Sequence, residues 1–500
     1  MTDPVVQPTR TTLSARSLSN ALATAIDLGC RLVCSIAVAR ILGTDGAGAV
    51  AYGLWLADLA VVLAGAGLPT ALVRFAAERT GDAAAQRALG RHVAGATSAL
   101  ALAGAAAVFA YSTDLEPRAR ALVAGLVVAR ALEAVLRAYW TGIQRFDLLS
   151  RFNALTAPVW LALVAVGGWA LGVDGALAGY VGAALVPAVL GLWLAARPGA
   201  PLEAGAARRL WGTASFAWVS AVVTALIWGR FELYFLRHAH GEGAAGLYAA
   251  GLTLAGLATS GPLMFAGALM PHFSERIAAG DPGAVRATYA AATRLLALSL
   301  FPACLATAAL APALIPALYG EAFRGAIPAA AILVAGSAVA ATSVGSALLL
   351  GADRAHVIAV SGVALTIAAV LLHGWAVPIW GPVGAAVGRG VLQLAGAAWG
   401  AVYIARVLGC PVPLAALART FVAAIVSALA CHAVVTLGSG QVWTVAPGAL
   451  VAVFCYVLAG RVLGILDPAD RAHLERAFER WPRGAAVLAR RVLGLVARHE

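Results

Sequence analysis

Apolar runs of about 20 residues recur from one end of this chain to the other, and each is long enough as a helix to cross the hydrocarbon core of a bilayer. Within that core the backbone has no water to bond, so a spanning segment must satisfy its own peptide groups, and the helix is the simplest way to do so. Hydrophobic residues make up 62% of the sequence and charged residues only 12%, too little polar surface to cover water-soluble cores in a chain of this length. The fold class is all-α, a polytopic membrane protein. Fourteen transmembrane helices are predicted, at about 18–39, 48–72, 91–112, 119–140, 152–172, 175–196, 212–236, 245–270, 288–318, 326–350, 356–377, 381–405, 414–437 and 443–464. The opening stretch, "MTDPVVQPTRTTLSARS", lacks the compact apolar core and small-residue site of a cleaved leader, so the first span is expected to stay as an anchor.

Orientation follows from arginine, since all 35 basic residues are Arg. With the N-terminus in the cytoplasm, 26 of them fall in the N-tail, the even-to-odd loops and the C-tail or on the span ends beside them. Arg40, Arg118, Arg120, Arg237 and Arg324 then lie outside, and Arg31, Arg130, Arg230 and Arg389 lie within spans. The positive-inside bias therefore places both termini of this multi-pass protein in the cytoplasm. The tail "DPADRAHLERAFERWPRGAAVLARRVLGLVARHE" interleaves Arg with apolar residues and is expected to lie as an amphipathic helix on the anionic inner leaflet. That membrane role accounts for the net charge of +12 with no nucleic-acid partner.

The chain also repeats itself. "GTDGAGAVAYGLWLADLA" (43–60) aligns without gaps to "GEGAAGLYAAGLTLAGLA" (241–258), with ten identities in eighteen positions. "RFAAERTGD" (74–82) resembles "HFSERIAAGD" (272–281) at nearly the same offset. Six spans fit in that offset, an even number, so the copies are parallel, as in transporters built from two like halves. The organisation predicted is a tail (1–17), a first lobe of six spans (18–196), a linker (197–211), a second lobe (212–407), two extra C-terminal helices (408–466) and the basic tail (467–500).

The charges inside the spans show where chemistry could sit. In the first, Ser17, Asn20, Thr24, Asp27, Arg31 and Ser35 follow at intervals of three and four, which gathers them on one helix face. Such a stripe faces a water-filled cavity or other polar helices; Asp27 and Arg31, four apart, could equally just neutralise each other. In the fourth span Arg130, Glu133, Arg137, Thr141 and Gln144 form a second stripe. Asp58 in the second span and Arg389 with Gln393 in the twelfth add polar groups at depth. Arg230 and Glu232 fall to either side of the Thr213, Ser220 and Thr224 stripe on a regular seventh helix. There, near the outer end, snorkelling explains them as readily as function.

Several deep arginines suit an anion, because a guanidinium keeps its charge and grips phosphate with two parallel hydrogen bonds. Arg31, Arg130, Arg389 and Arg230 are the candidate ligands for such an anion. Asp27, Asp58, Glu133 and Glu232 are candidates for tuning those charges or binding a coupling ion, H+ or Na+. Asn20, Thr24, Ser35, Arg137 and Gln393 are the candidate polar lining.

Nothing in the sequence points to an enzyme or a resident cofactor. A chain without Lys has no GxxxxGK phosphate loop, and the loops are too short for a separate catalytic domain. Cys30, Cys34, Cys304, Cys410, Cys431 and Cys455 lie in or beside apolar segments without a metal-ligand spacing and read as small core residues. His238 and His240 are too few for a metal site.

"ARILGTDGAGAVAY" with "LPTALVRFAAE", "YWTGIQRFDLLSRFNAL" (139–155), "GRFELYFLRHAHGEGAAGLYAAGLTLA" (229–255) and "LMPHFSERIAAGDPGAVRATYAAATRLLALSLFPACLA" (269–306) with "LIPALYGEAFRGA" (314–326) resemble polysaccharide flippases of the multidrug/oligosaccharidyl-lipid/polysaccharide exporter superfamily. The resemblance runs over at least 20–407. It implies a V-shaped pair of lobes that moves a polyprenyl-linked oligosaccharide across the membrane by alternating access, with the diphosphate on basic residues of a central cavity. It also implies glycan polymerase or assembly proteins as candidate partners. A peptidoglycan-precursor flippase or a multidrug or metabolite exporter of the same superfamily would share the fold.

Overall fold

The computed structural model describes residues 10–196, 202, 204–263 and 269–466, and gives the backbone path alone for 10–24. The basic tail at 467–500 and part of the 197–211 linker lie outside the described residues. Fourteen α-helical segments are described: α1 (Arg10–Gly65), α2 (Leu68–Glu78), α3 (Ala83–Tyr111), α4 (Pro117–Gly142), α5 (Phe146–Ala196), α6 (Ala204–Trp228), α7 (Glu232–Leu263), α8 (Leu269–Ala278), α9 (Pro282–Tyr319), α10 (Ile327–Gly336), α11 (Val344–Gly351), α12 (Ala355–Val407), α13 (Leu414–Leu437) and α14 (Val445–Leu463). No strand occurs among the described residues.

Among the described residues, eight segments are long and apolar enough to cross a membrane. α1, α5 and α12, of 56, 51 and 53 residues, would each run to about 75–85 Å if straight, more than twice a hydrocarbon core. Each is instead broken at a glycine: Gly43 in α1, Gly172 in α5 and Gly381 in α12. Large apolar side chains face outward throughout, Trp169 at 79% exposure among them, as expected of surface that meets lipid rather than water.

The repeat is visible in backbone detail. Gly43 (φ 69°, ψ −168°) and Gly241 (φ 83°, ψ −178°) break α1 and α7 at the first residue of the aligned motif, in a conformation only glycine adopts readily. Asp82 accepts hydrogen bonds from the Ala84 and Ala85 amides at the start of α3, and Asp281 accepts one from Ala284 at the start of α9; both carboxylates cap a helix N-terminus. Farther along, with the offset grown to 209 residues, Gln144 (φ 59°) answers Asp353 (φ 56°) and Gly172 (φ 63°, ψ −139°) answers Gly381 (φ 54°, ψ −134°).

Contacts divide the chain into two compact units. One comprises Met1–Arg237 with Gly241–Gly246; the other comprises His238–His240 with Leu247–Glu500. In the first, Leu68, Leu72 and Phe75 of α2, Leu89 and Val93 of α3, Val135 of α4 and Leu210 and Ala214 of α6 share one core. α6, from the predicted seventh span, thus packs with the first six. The two glycine motifs also meet within this unit, and reciprocally. A β-carbon at Gly48 would strike the Glu242 carbonyl, and one at Gly246 would strike the Thr44 carbonyl. In the repeat, Thr44 corresponds to Glu242 and Gly48 to Gly246. In the second unit α9, α13 and α14 pack through Leu310, Ala313, Cys431, Val435 and Ala452.

Three sequence expectations are corrected. The seventh span is not one regular helix: α6 ends at Trp228 and α7 begins at Glu232, with Arg230 between them at φ 67°. The tenth is α10, a 3₁₀ turn at Ser337–Ser343 and α11. α4 stops at Gly142, so Gln144, in a left-handed turn, leaves the stripe of Arg130.

Gly48→Ala and Gly246→Ala should each destabilise the protein by at least about 2 kcal/mol through overpacking. Gly95→Ala, inside α3 with open space around it, should be neutral or stabilising by up to about 1 kcal/mol. Thermal unfolding of the detergent-purified variants checks both.

Candidate functional site

The polar face of α1 carries its charge at Asp27 and Arg31, whose side chains bond at 2.8 Å. They do neutralise each other, as four-residue spacing allows. The Arg31 side chain nevertheless stays 64% exposed and lies within electrostatic reach of Tyr180 and Glu133, so the pair also faces the other polar helices. Ser35 is half-buried one turn on. The side chains of Asn20 and Thr24 lie outside the described residues.

α4 supplies the opposing face. Arg137 bonds Glu133 one turn back at 2.6 Å, donates to Asn153 of α5 and stands 5.7 Å over the Phe152 ring. Thr141 donates to the Arg137 carbonyl at 2.8 Å and so serves its own helix. Arg130 reaches across to Asp58 in the second half of α1 and stands 6.0 Å over the Tyr180 ring of α5. Three guanidiniums and three carboxylates thus pair one to one on α1 and α4.

Tyr180 is where these groups converge. Its hydroxyl lies 3.5 Å from the Cys34 sulfur, and its ring stacks on Trp160 at 5.8 Å and 26°. Arg31, Arg130 and Arg230 all act on it electrostatically or through its ring. Arg230 owes its place to the break between α6 and α7, which brings it to the group despite its position off the Thr213–Thr224 stripe. Arg389 and Gln393 belong to the second unit, both half-buried on α12; Gln393 lies beside Gly336 of α10.

The second copy of the repeat holds none of this charge. At the offsets that align the backbone, Asp27, Arg31 and Asp58 correspond to Ala225, Gly229 and Gly256. Arg130, Glu133 and Arg137 correspond to Val339, Thr342 and Ser346. The copy's backbone also differs there: Val339 and Thr342 lie in the 3₁₀ turn between α10 and α11, and Gly229 lies at the break between α6 and α7. What the ionic groups add in the first copy is a positive and negative lining on which an anion or a cation could exchange partners.

The sequence profile described as "polysaccharide biosynthesis protein" matches residues 14–276, more than half of the chain. The chain belongs to this family. Among solved structures, it resembles the lipid II flippase MurJ in its inward closed conformation at 12% identity and a TM-score of 0.69, over 89% of this chain and 98% of that one. A multidrug resistance MATE family transporter of the MOP superfamily matches in its inward-facing conformation at 16% identity and TM-score 0.55, over 77% of this chain and 98% of that one. An outward-facing MATE structure matches at 14% and 0.54, over 79% and 95%. At these identities the likeness is one of fold. Curated protein sequences give no significant match.

Two residues of this family member's site escaped sequence reading. Tyr180 sits in an apolar stretch and Asn153 two residues after Arg151, neither on a charged stripe, and only the packing of α5 on α1 and α4 puts them beside the arginines. Glu232, for which the sequence left snorkelling and function open, is 1% exposed in the first turn of α7, where an acid suits the helix dipole. His240 bonds the Val377 carbonyl at 2.8 Å, and no group of three metal-ligating residues occurs among the described residues.

Arg237, counted from the sequence as an outer-loop residue, is 11% exposed. It donates to the Asp114 carboxylate and, at 2.9 Å, to its carbonyl, and to Glu242 at 3.1 Å. It also stacks 4.3 Å over the Tyr52 ring. One guanidinium thereby ties the α3–α4 loop and the repeated glycine motif to α1. Arg237→Ala, which strands two carboxylates, should lower stability by about 3 kcal/mol. Arg324→Ala, which removes an exposed pair with Glu321, should leave the unfolding temperature unchanged.

Proposed function

We propose that this protein is a flippase that carries a polyprenyl-(di)phosphate-linked oligosaccharide from the cytoplasmic to the outer leaflet for surface polysaccharide assembly. The observation that carries the reading is the convergence of Arg31, Arg130 and Arg230, from α1, α4 and the α6–α7 break, around Tyr180. At the aligned positions the second copy carries Ala225, Gly229, Gly256, Val339, Thr342 and Ser346, so the α1 and α4 charges are particular to the first copy, which favours a ligand role for them. Membership of the polysaccharide biosynthesis family supports a glycan cargo, and fold likeness to transporters solved facing inward and outward supports alternating access.

In this reading the diphosphate meets Arg31 and Arg130, whose planar donors match paired phosphate oxygens. Arg230 and Arg389 act on it in other steps of the cycle. The lipid tail stays in the bilayer while the glycan crosses, so the protein does no covalent chemistry and needs no cofactor. An ion gradient, H+ or Na+, or the membrane potential supplies the driving force, with Asp27, Asp58, Glu133 and Glu232 as the groups through which an ion could act. The chain spans the bacterial cytoplasmic membrane fourteen times with both termini inside. Its basic tail lies on anionic lipid, and a glycan polymerase receives the cargo.

Arg31→Ala and Arg130→Ala should each abolish surface glycan without loss of membrane-inserted protein, whereas Arg230→Ala should act more mildly. In the deletion strain, mass spectrometry of extracted lipid should show a polyprenyl-diphosphate glycan accumulating. Full transport by both of the first two variants would overturn the site. An intact lipid pool together with sensitivity to cationic compounds would instead make the protein an exporter, for which the three carboxylates would be the binding groups.

A further inference from the structure

The three ion pairs of the site are not alike. Asp27–Arg31 and Glu133–Arg137 join residues four apart on a single helix, so they persist however the helices move. Asp58–Arg130 joins α1 to α4 and can part. Its members are also unequal: the Arg130 side chain is 25% exposed and seated over Tyr180, whereas that of Asp58 is 62% exposed. If the pair opens, Asp58 is the member free to leave.

Arg130 cannot stand alone in this setting. A guanidinium deep within a membrane protein is costly without an opposite charge. In the repeat both members vanish together, since Asp58 becomes Gly256 and Arg130 becomes Val339, so the carboxylate is there for the arginine. Yet the contact with Asp58 uses one terminal nitrogen, Nη1, of a group with five N–H donors. A phosphate that takes two in a fork would outcompete it.

We infer that Asp58 holds the cargo's place on Arg130: it is a built-in counter-ion that the phosphate displaces on binding and that displaces the phosphate on release. This rests on the flippase reading above and adds what resets the empty carrier. Exchange of one anion for the other keeps Arg130 neutralised in both states. The carboxylate therefore weakens binding and speeds dissociation.

The test uses the full chain in detergent micelles with farnesyl diphosphate as the probe, titrated calorimetrically, with dissociation followed by stopped-flow competition. Asp58→Asn keeps the shape and removes the charge. It should bind the probe at least about fivefold tighter, with the gain in slower dissociation, while Arg130→Ala loses binding. Should Asp58→Asn fail to insert, Asp58→Ser serves with the same expectation. If the probe binds and needs Arg130, but loss of the Asp58 charge leaves affinity unchanged or weaker, the counter-ion role is overturned and the anion site stands. If the probe does not bind, or binds equally well to Arg130→Ala, the anion site itself fails and the inference with it.

Discussion

A peptide group in hydrocarbon has no water to turn to, and the rest of this structure depends on that constraint. Each span closes its hydrogen bonds within its own helix, so departures from helix geometry are confined to a few positions. They fall at glycine in α1, α5, α7 and α12, where positive φ comes without steric cost. The break at Arg230 is an exception, and it is the one that brings a charge to the site. The same economy governs approach between helices: where Gly48 and Gly246 press against carbonyls of the opposite motif, close packing supplies the contact that hydrophobicity cannot provide within a membrane.

Charge obeys a parallel rule. Each guanidinium of the α1–α4 group has a carboxylate, and Arg237 has two. The two clusters nevertheless do different work. Arg237 is enclosed, with its donors divided among fixed partners and an aromatic face beneath it, which makes it a fastener. Arg31 and Arg130 keep donors and surface in reserve, which makes them suited to a ligand that comes and goes.

The repeat shows how such a site can arise on an existing scaffold. The matched caps and glycine breaks agree between the copies to within a few tens of degrees, while the ion pairs of α1 and α4 are confined to the first. Divergence has spared what the backbone requires and changed what lines the interior. Even Tyr180 and Arg389, equivalent in position, carry different chemistry in the two units.

By itself the sequence determined the helical class, the repeat and the two polar stripes, because each follows from local periodicity: 20-residue apolar runs, a glycine motif 198 residues apart, charges at intervals of three and four. It also placed Asp27 with Arg31 and Glu133 with Arg137, since four residues on one helix amount to about one turn. Only the tertiary structure decided that Asp58 belongs to Arg130, that Tyr180 and Asn153 complete the group and that Glu232 and Arg237 are buried. Those contacts cross between elements distant in the chain, so no periodicity records them. The break that delivers Arg230 is equally tertiary, because no proline occupies it and apolar residues continue on both sides of it.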